Sequence, residues 1–306
     1  MKYTYIKATI SIFAAIALIS CSSNDDSFTG DATLSLSTEV STRSILIDNQ
    51  FNSWDRIGVF AVNSSGSSYS SNSYNMEAYL TSDKKWTILN NAVVHLTNDN
   101  ATIYAYYPYK AGSSLENVLV DISTTWDHSQ TDYLYGTNTN TVNINNAEAK
   151  IKFKYALALV TFNIKCNNSS EGIILDGVFL ENSGNGTAIA DSGYMNVKTG
   201  IISPVIKNKA CVYTTVDKTL NNSSVNLVVI PTTVNNNVNL VLIINHRRFV
   251  VPLPNVNFER GNKYTYPVTI EVNDFNSYNL SIGQPTISDW VSETLGSTEI
   301  SSNNKE

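Results

Sequence analysis

The sequence predicts an all-β protein of the sandwich type. Apolar and polar residues alternate with a period of two through much of the chain, and clusters of Asn, Ser, Thr and Gly separate the alternating stretches. Almost no segment carries the 3.6-residue period of an amphipathic helix. A chain of 306 residues suits two domains rather than one, and a 42% hydrophobic composition is enough for a substantial core.

Strands are expected at Arg56 to Val62 and at Thr102 to Tyr107. Ile151, Phe153, Tyr155, Leu157 and Leu159 alternate with polar or small residues, after which the phase slips and Val160, Phe162 and Ile164 continue the pattern. A bulge near Leu159 would absorb that slip. The polar cluster Lys165-Cys166-Asn167-Asn168-Ser169-Ser170 closes the stretch and marks the expected boundary between domains at 32–165 and 166–290. Val225 to Ile230 and Val238 to Asn245 are nearly continuous apolar runs, as strands in a sandwich core are, with a hairpin expected at His246 to Arg248. Tyr264, Tyr266, Val268, Ile270 and Val272 share one face of a further strand, in which Pro267, lacking a donor, favours an edge position. Asparagine-rich stretches such as Val234-Asn235-Asn236-Asn237 read as turns, because Asn tolerates left-handed backbone and bonds locally. Residues 291–306 form a C-terminal tail and possible donor segment, polar from Ser297 to Glu306.

At the start, Lys2 and Lys7 precede the apolar run Ala8 to Ile19, which ends in Leu18-Ile19-Ser20-Cys21. This is the pattern of a secretory signal over 1–20 closing on a lipobox, with Cys21 as the lipidated residue. The run falls short of the roughly 18 consecutive apolar residues of a membrane-spanning helix. Acyl chains would hold the protein instead, at about 0.8 kcal/mol per buried CH₂. Residues 21–31, with Ser22-Ser23-Asn24-Asp25-Asp26-Ser27, read as an acidic tether. Loss of Lys2 and Lys7 with the leader takes the formal charge from −6 to −8, which argues against nucleic acid as a partner. Beyond Cys21 only Cys166 and Cys211 remain, and a disulfide and an incidental pair stay equally open.

No catalytic constellation emerges. His95 lies in an apolar stretch, His128 in a polar turn and His246 near a hairpin tip, with no metal-ligand spacing among them. Gly184-Asn185-Gly186 lacks the third glycine and the following helix of a phosphate loop, so it reads as a β-turn. Trp126-Asp127-His128-Ser129 holds acid, base and hydroxyl side by side, but neighbours in sequence seldom converge into a triad. Neither a metal nor a cofactor is expected, apart from the covalent lipid.

The ends carry strand chemistry instead. Ala32, Leu34, Leu36 and Val40 form the apolar side of a first strand, and Arg43, between Thr42 and Ser44, would suit a trypsin-like protease. Cleavage between Arg43 and Ser44 would remove the lipid and this strand together. It would leave unpaired backbone and empty pockets, which a strand from another subunit could fill.

With these features the chain resembles the fimbrillin family of Bacteroidota, the pilin-like lipoproteins of type V fimbriae. The resemblance rests on the lipobox, Thr42-Arg43-Ser44, Asp55-Arg56-Ile57-Gly58-Val59-Phe60 and Tyr104-Ala105-Tyr106-Tyr107-Pro108-Tyr109. It continues through Gln130-Thr131-Asp132-Tyr133-Leu134-Tyr135-Gly136, Ala156-Leu157-Ala158-Leu159-Val160, Phe258-Glu259-Arg260-Gly261-Asn262-Lys263-Tyr264 and Ile287-Ser288-Asp289-Trp290. It implies two tandem transthyretin-like Greek-key β-sandwich domains, export to the outer membrane, proteolytic removal of the first strand at Arg43 and polymerisation with other fimbrial subunits by donor-strand exchange. It also implies adhesion, through a host or bacterial surface receptor, rather than catalysis. The acidic tether resembles the signal that sends Bacteroidota lipoproteins to the cell surface. Stalk subunits of the family carry a long donor segment. Here Val291, Leu295 and Ile300 are the apolar residues after Trp290, which leaves tip, accessory and anchor roles open. The alternative is a monomeric glycan-binding lipoprotein in which exposed members of Trp54, Trp86 and Trp126 stack on sugars, unless these rings pack within the fold.

Overall fold

The structure, a computed structural model, describes residues 32–40, 51–89, 92–123, 130–167, 172–205, 211–220, 222–274 and 277–290, and among them there is no helix. The first half of the chain supplies β1 (Ser35–Val40), β2 (Arg56–Val62), β3 (Met76–Leu80), β4 (Trp86–Ile88), β5 (Thr102–Tyr107), β6 (Val118–Asp121), β7 (Leu134–Asn138) and β8 (Glu148–Tyr155). After it come β9 (Ala158–Asn167), β10 (Ile174–Asn182), β11 (Ser192–Met195), β12 (Ile202–Val205), β13 (Cys211–Thr219), β14 (Ser223–Val229) and β15 (Thr232–Val234). The last strands are β16 (Val238–Ile244), β17 (Arg247–Pro252), β18 (Val256–Phe258), β19 (Asn262–Asp274), β20 (Ser277–Ile282) and β21 (Thr286–Asp289). β2 and β5 have the limits their alternation predicts.

Seven strands form one sheet in the order β1-β8-β7-β5-β2-β3-β4. The others form sheets ordered β14-β9-β19-β20, with β21 also on β19, then β13-β10-β16-β17, β12-β11-β6 and β15-β18. The three-stranded sheet joins β6 of the first half to β11 and β12 of the second. Two pairings, β1 with β8 and β9 with β19, are parallel. Their partners lie far apart in sequence, as parallel pairing demands. β8 shows why the residues choose this arrangement: Ala149, Ile151, Phe153 and Tyr155 are buried, while Glu148, Lys150, Lys152 and Lys154 are exposed. The buried faces merge into one hydrophobic core running from Leu34 to Trp290.

Three expectations are corrected. The phase slip is not a bulge in one strand. β8 ends at Tyr155, Ala156 and Leu157 make a corner, and β9 starts in a different sheet. A corner and a bulge both shift the alternation by one, so periodicity alone does not separate them. The hairpin turn is Asn245-His246, both at positive φ (47° and 61°), and Arg247 and Arg248 already belong to β17. Positive φ at both positions is the two-residue turn whose twist matches the flanking strands. Finally, Pro267 lies in a central strand, between β9 on one side and β20 and β21 on the other. It sits where the neighbour changes from β20, paired up to Val268, to β21, paired from Thr265. At that break a missing donor costs no ladder bond, and the Pro267 carbonyl accepts from the Gly283 amide at 3.0 Å.

The corner at Ala156-Leu157 is fastened from several directions. The Ala156 amide donates to the Tyr133 carbonyl (2.9 Å), and the Leu157 carbonyl accepts from the Gly261 amide (2.8 Å). Trp290, 1% exposed, stacks on Tyr155 with ring centroids 3.9 Å apart, and its amide donates to the Gly261 carbonyl at 2.8 Å. Gly261 has φ of 73°, a left-handed turn position that suits glycine. Other motif residues close backbone gaps. The Gln130 side-chain amide both donates to the Val228 carbonyl (2.9 Å) and accepts from its amide (2.6 Å), so that it substitutes for a neighbouring strand at the end of β14. The Tyr264 hydroxyl donates to the Asn257 carbonyl and accepts from the Glu259 amide, pinning the turn before β19.

Two outcomes are expected in denaturant unfolding. Trp290→Ala should lower stability by about 3–5 kcal/mol, the range for truncating a buried aromatic. Gln130→Leu should lower it by roughly 2 kcal/mol, since it keeps the bulk but strips both partners from Val228.

Candidate functional site

The first strand occupies the edge of the seven-stranded sheet and is held by two partners in succession. Residues 32–34 run alongside 94–96: the Leu34 amide donates to the Val94 carbonyl (3.0 Å), the Leu96 amide donates to the Ala32 carbonyl (2.9 Å), and Thr33 bridges His95. β1 then pairs in parallel with β8, with Leu36 opposite Ala149, Thr38 opposite Ile151 and Val40 opposite Phe153. Leu34 and Leu36 are each 8% exposed, and Ala32 and Val40 are partly buried. Ser35 and Glu39 face outward, as the alternation predicts. Burial of each leucine contributes roughly 1.5–3 kcal/mol, as an upper bound.

On its other side β1 faces a groove of about 790 Å³, lined by Ser35 to Val40 and by Phe51, Leu80, Lys84, Lys85 and Trp86. The two ends of the sheet therefore approach each other across this groove. Among the described residues, a hydrogen bond from Trp86 Nε1 to Thr38 Oγ1 crosses it at 3.0 Å. Phe51 makes edge contacts with Trp86 (5.2 Å), Tyr107 (5.5 Å) and Phe153 (5.3 Å), which ties the groove to β8. The Lys84 ammonium donates to the Phe51 carbonyl at 3.1 Å. Neither Phe51 nor the Thr38–Trp86 bond is visible in the sequence, because their partners are distant along the chain.

The structure thus brings together Ala32, Leu34, Leu36 and Val40 of the predicted site. Cys21, Arg43, Ser44, Val291, Leu295 and Ile300 lie outside the described residues, as do Trp126 and His128. His95 and His246 are exposed and have different partners: His95 bridges Thr33, and the His246 amide donates to Asp176 Oδ2 at 2.7 Å. Among the described residues no cluster of His, Cys, Asp and Glu could hold a metal ion. Gly184-Asn185-Gly186 forms the expected turn, with the Gly186 amide donating to the Ser183 carbonyl. Cys166 lies on β9 and Cys211 on β13, in different sheets, and burial pushes the Cys166 thiol above its ordinary range.

Trp54 is the residue that sequence reasoning places least well. It occupies the third position of the turn Asn52 to Asp55, closed by the Asp55 amide donating to the Asn52 carbonyl (3.1 Å), with φ of 77°. Glycine is the usual occupant of such a position. A tryptophan there costs roughly 1–2 kcal/mol in backbone strain.

A model of the family described as fimbrillin-like matches residues 42–290. The fold is shared with a Bacteroides ovatus protein provisionally assigned to cell adhesion (18% identity, TM-score 0.66, covering 85% of this chain and 98% of that one). A Bacteroides uniformis protein of the same provisional assignment matches with 16% identity, TM-score 0.60 and coverage of 85% and 100%. A Bacteroides vulgatus fimbrial protein matches with 16% identity, TM-score 0.52 and coverage of 85% and 99%. Among curated proteins, none matches.

Substitutions in the first strand test its attachment. Leu36→Ala should cost about 2–3 kcal/mol and Thr38→Val about 1 kcal/mol in denaturant unfolding. The double variant should lose less than the two together, because both changes slacken one strand.

Proposed function

Because the chain belongs to the fimbrillin-like family of structural, non-enzymatic proteins, we propose that it is a fimbrial subunit or tip adhesin that reaches the outer membrane as a lipoprotein and assembles by exchanging its first strand. The family itself implies the cell surface and assembly with other fimbrial subunits. The finer steps are our reading: acylation at Cys21, cleavage after Arg43 by a trypsin-like protease, and entry of a neighbouring subunit's strand where β1 had been.

The observation that carries this reading is the attachment of β1. It sits at a sheet edge, its side chains fill a limited set of sites opposite Ala149, Ile151 and Phe153, and a groove borders its other side. Removal of residues 32–40 would uncover both a backbone edge and apolar pockets. A chain of alternating pattern restores both at once, and head-to-tail repetition builds a fibre. The C-terminal tail, with apolar Val291, Leu295 and Ile300, is this chain's own candidate for a donor, and in an extended segment Val291 and Leu295 would share one face and Ile300 the other.

Cells producing Arg43→Ala test the scheme. The variant should be acylated and folded as the parent is, yet keep its first strand and yield no SDS-resistant ladder of multimers. A normal ladder from the uncleaved variant would sink the mechanism.

A further inference from the structure

The turn that carries Trp54 is lashed to β3 by two backbone bonds. The Trp54 amide donates to the Leu80 carbonyl (2.7 Å), and the Leu80 amide donates to the Asp55 carbonyl (3.0 Å). Asp55 Oδ2 also accepts from the Asn52 amide at 2.7 Å. The backbone is therefore fixed in its left-handed geometry. Trp54 is 67% exposed. The indole stacks on the ring of half-buried Tyr79, with an interplanar angle of 5° and centroids 5.8 Å apart, so Tyr79 backs an aromatic ring that is open to solvent.

Polar groups stand beside this surface. Arg56 is the register partner of Tyr79 on β2, and its guanidinium donates to Glu77 Oε1 at 2.6 Å. Tyr109 continues the same side: its amide donates to the Arg56 carbonyl at 2.9 Å, and its hydroxyl is near enough to Glu77 for the carboxylate charge to raise its pKa, behind the larger effect of burial. The patch thus combines an exposed aromatic face with a compensated ion pair that offers both donors and acceptors.

We propose that Trp54 and Tyr79 form a platform for neutral saccharides, with the C–H face of a pyranose stacked on the indole and its hydroxyls directed to Arg56 and Glu77. A pyranose matches both parts, since it has one apolar face and a rim of hydroxyls that donate and accept. A purely apolar partner would bury the Arg56–Glu77 pair without replacing its contacts with water. An anionic ligand would have to separate Arg56 from Glu77. The site lies on β2, β3 and the turn before them, so it does not depend on cleavage or strand exchange.

The test uses full-length protein in a detergent without sugar headgroups, applied to a printed array of neutral hexose, N-acetylhexosamine and sialylated oligosaccharides. The strongest neutral oligosaccharide is then titrated by calorimetry. Trp54→Gly should weaken binding at least tenfold while the melting temperature stays the same or rises, because glycine takes φ of 77° without strain. A merely structural tryptophan would give the opposite thermal result. Tyr79→Ala should weaken binding in parallel, and Arg43→Ala should leave it unchanged, which separates this site from the assembly scheme. No binding to any neutral glycan, or parental affinity in Trp54→Gly, overturns the proposal. Loss of multimers in Trp54→Gly without glycan binding by the parent would make the ring a subunit contact and overturn it as well.

Discussion

An all-strand chain must close its backbone hydrogen bonds between strands, and each open sheet has two edges at which that closure fails. Much of the described structure answers this constraint. At the edge of β14, Gln130 supplies a side-chain amide in place of a neighbouring strand. At the junction of β20 and β21, Pro267 stands where the partner strand is interrupted. At Ala156-Leu157 the chain leaves one sheet for another, and Tyr133, Gly261 and Trp290 take up the groups that the corner exposes. Against these closed places, the first strand stands out. One side chain, Trp86, reaches across the groove beside it to Thr38.

That difference joins architecture to the family's business at the cell surface. A subunit that must accept another chain needs one edge whose occupant is replaceable and whose pockets are selective for side-chain spacing. β1 supplies a short strand whose inward residues are Leu36, Thr38 and Val40, paired with Ala149, Ile151 and Phe153 on β8. Elsewhere, Trp290 and Gln130 fasten the framework independently of that edge. The Trp54 platform lies on the same sheet but at its outward side, so adhesion and assembly would use different surfaces.

Much of the fold was legible because burial on one face imposes alternation. β2 and β5 have their predicted limits, β8 buries every second residue, β19 does so from Tyr264 to Ile270 as read, and Asn236 takes left-handed backbone in its turn. What sequence left hidden depends on partners. The corner after Tyr155 mimics a bulge, since each shifts the phase by one. Pro267 looks like an edge residue unless the break in the neighbouring strand is known. The hairpin at Asn245-His246 lacks the glycine that usually marks its turn. Within the candidate site, the apolar side of β1 could be read from Leu34 and Leu36, but its groove could not, because Phe51, Leu80 and Trp86 come from three separate segments. Trp54 could be seen as an aromatic residue, not as one occupying a glycine's place.

The order in which the strands become available gives the parallel pairing of β1 and β8 a further meaning. Leu36 meets Ala149, on the order of a hundred residues further along, so β1 has no β8 to pair with until most of the seven-stranded sheet has been made. It can dock only onto a sheet already laid down, and it can leave without unpicking that sheet. Late docking and ease of release at the edge are then the same property, set by where the polypeptide places residues 32–40.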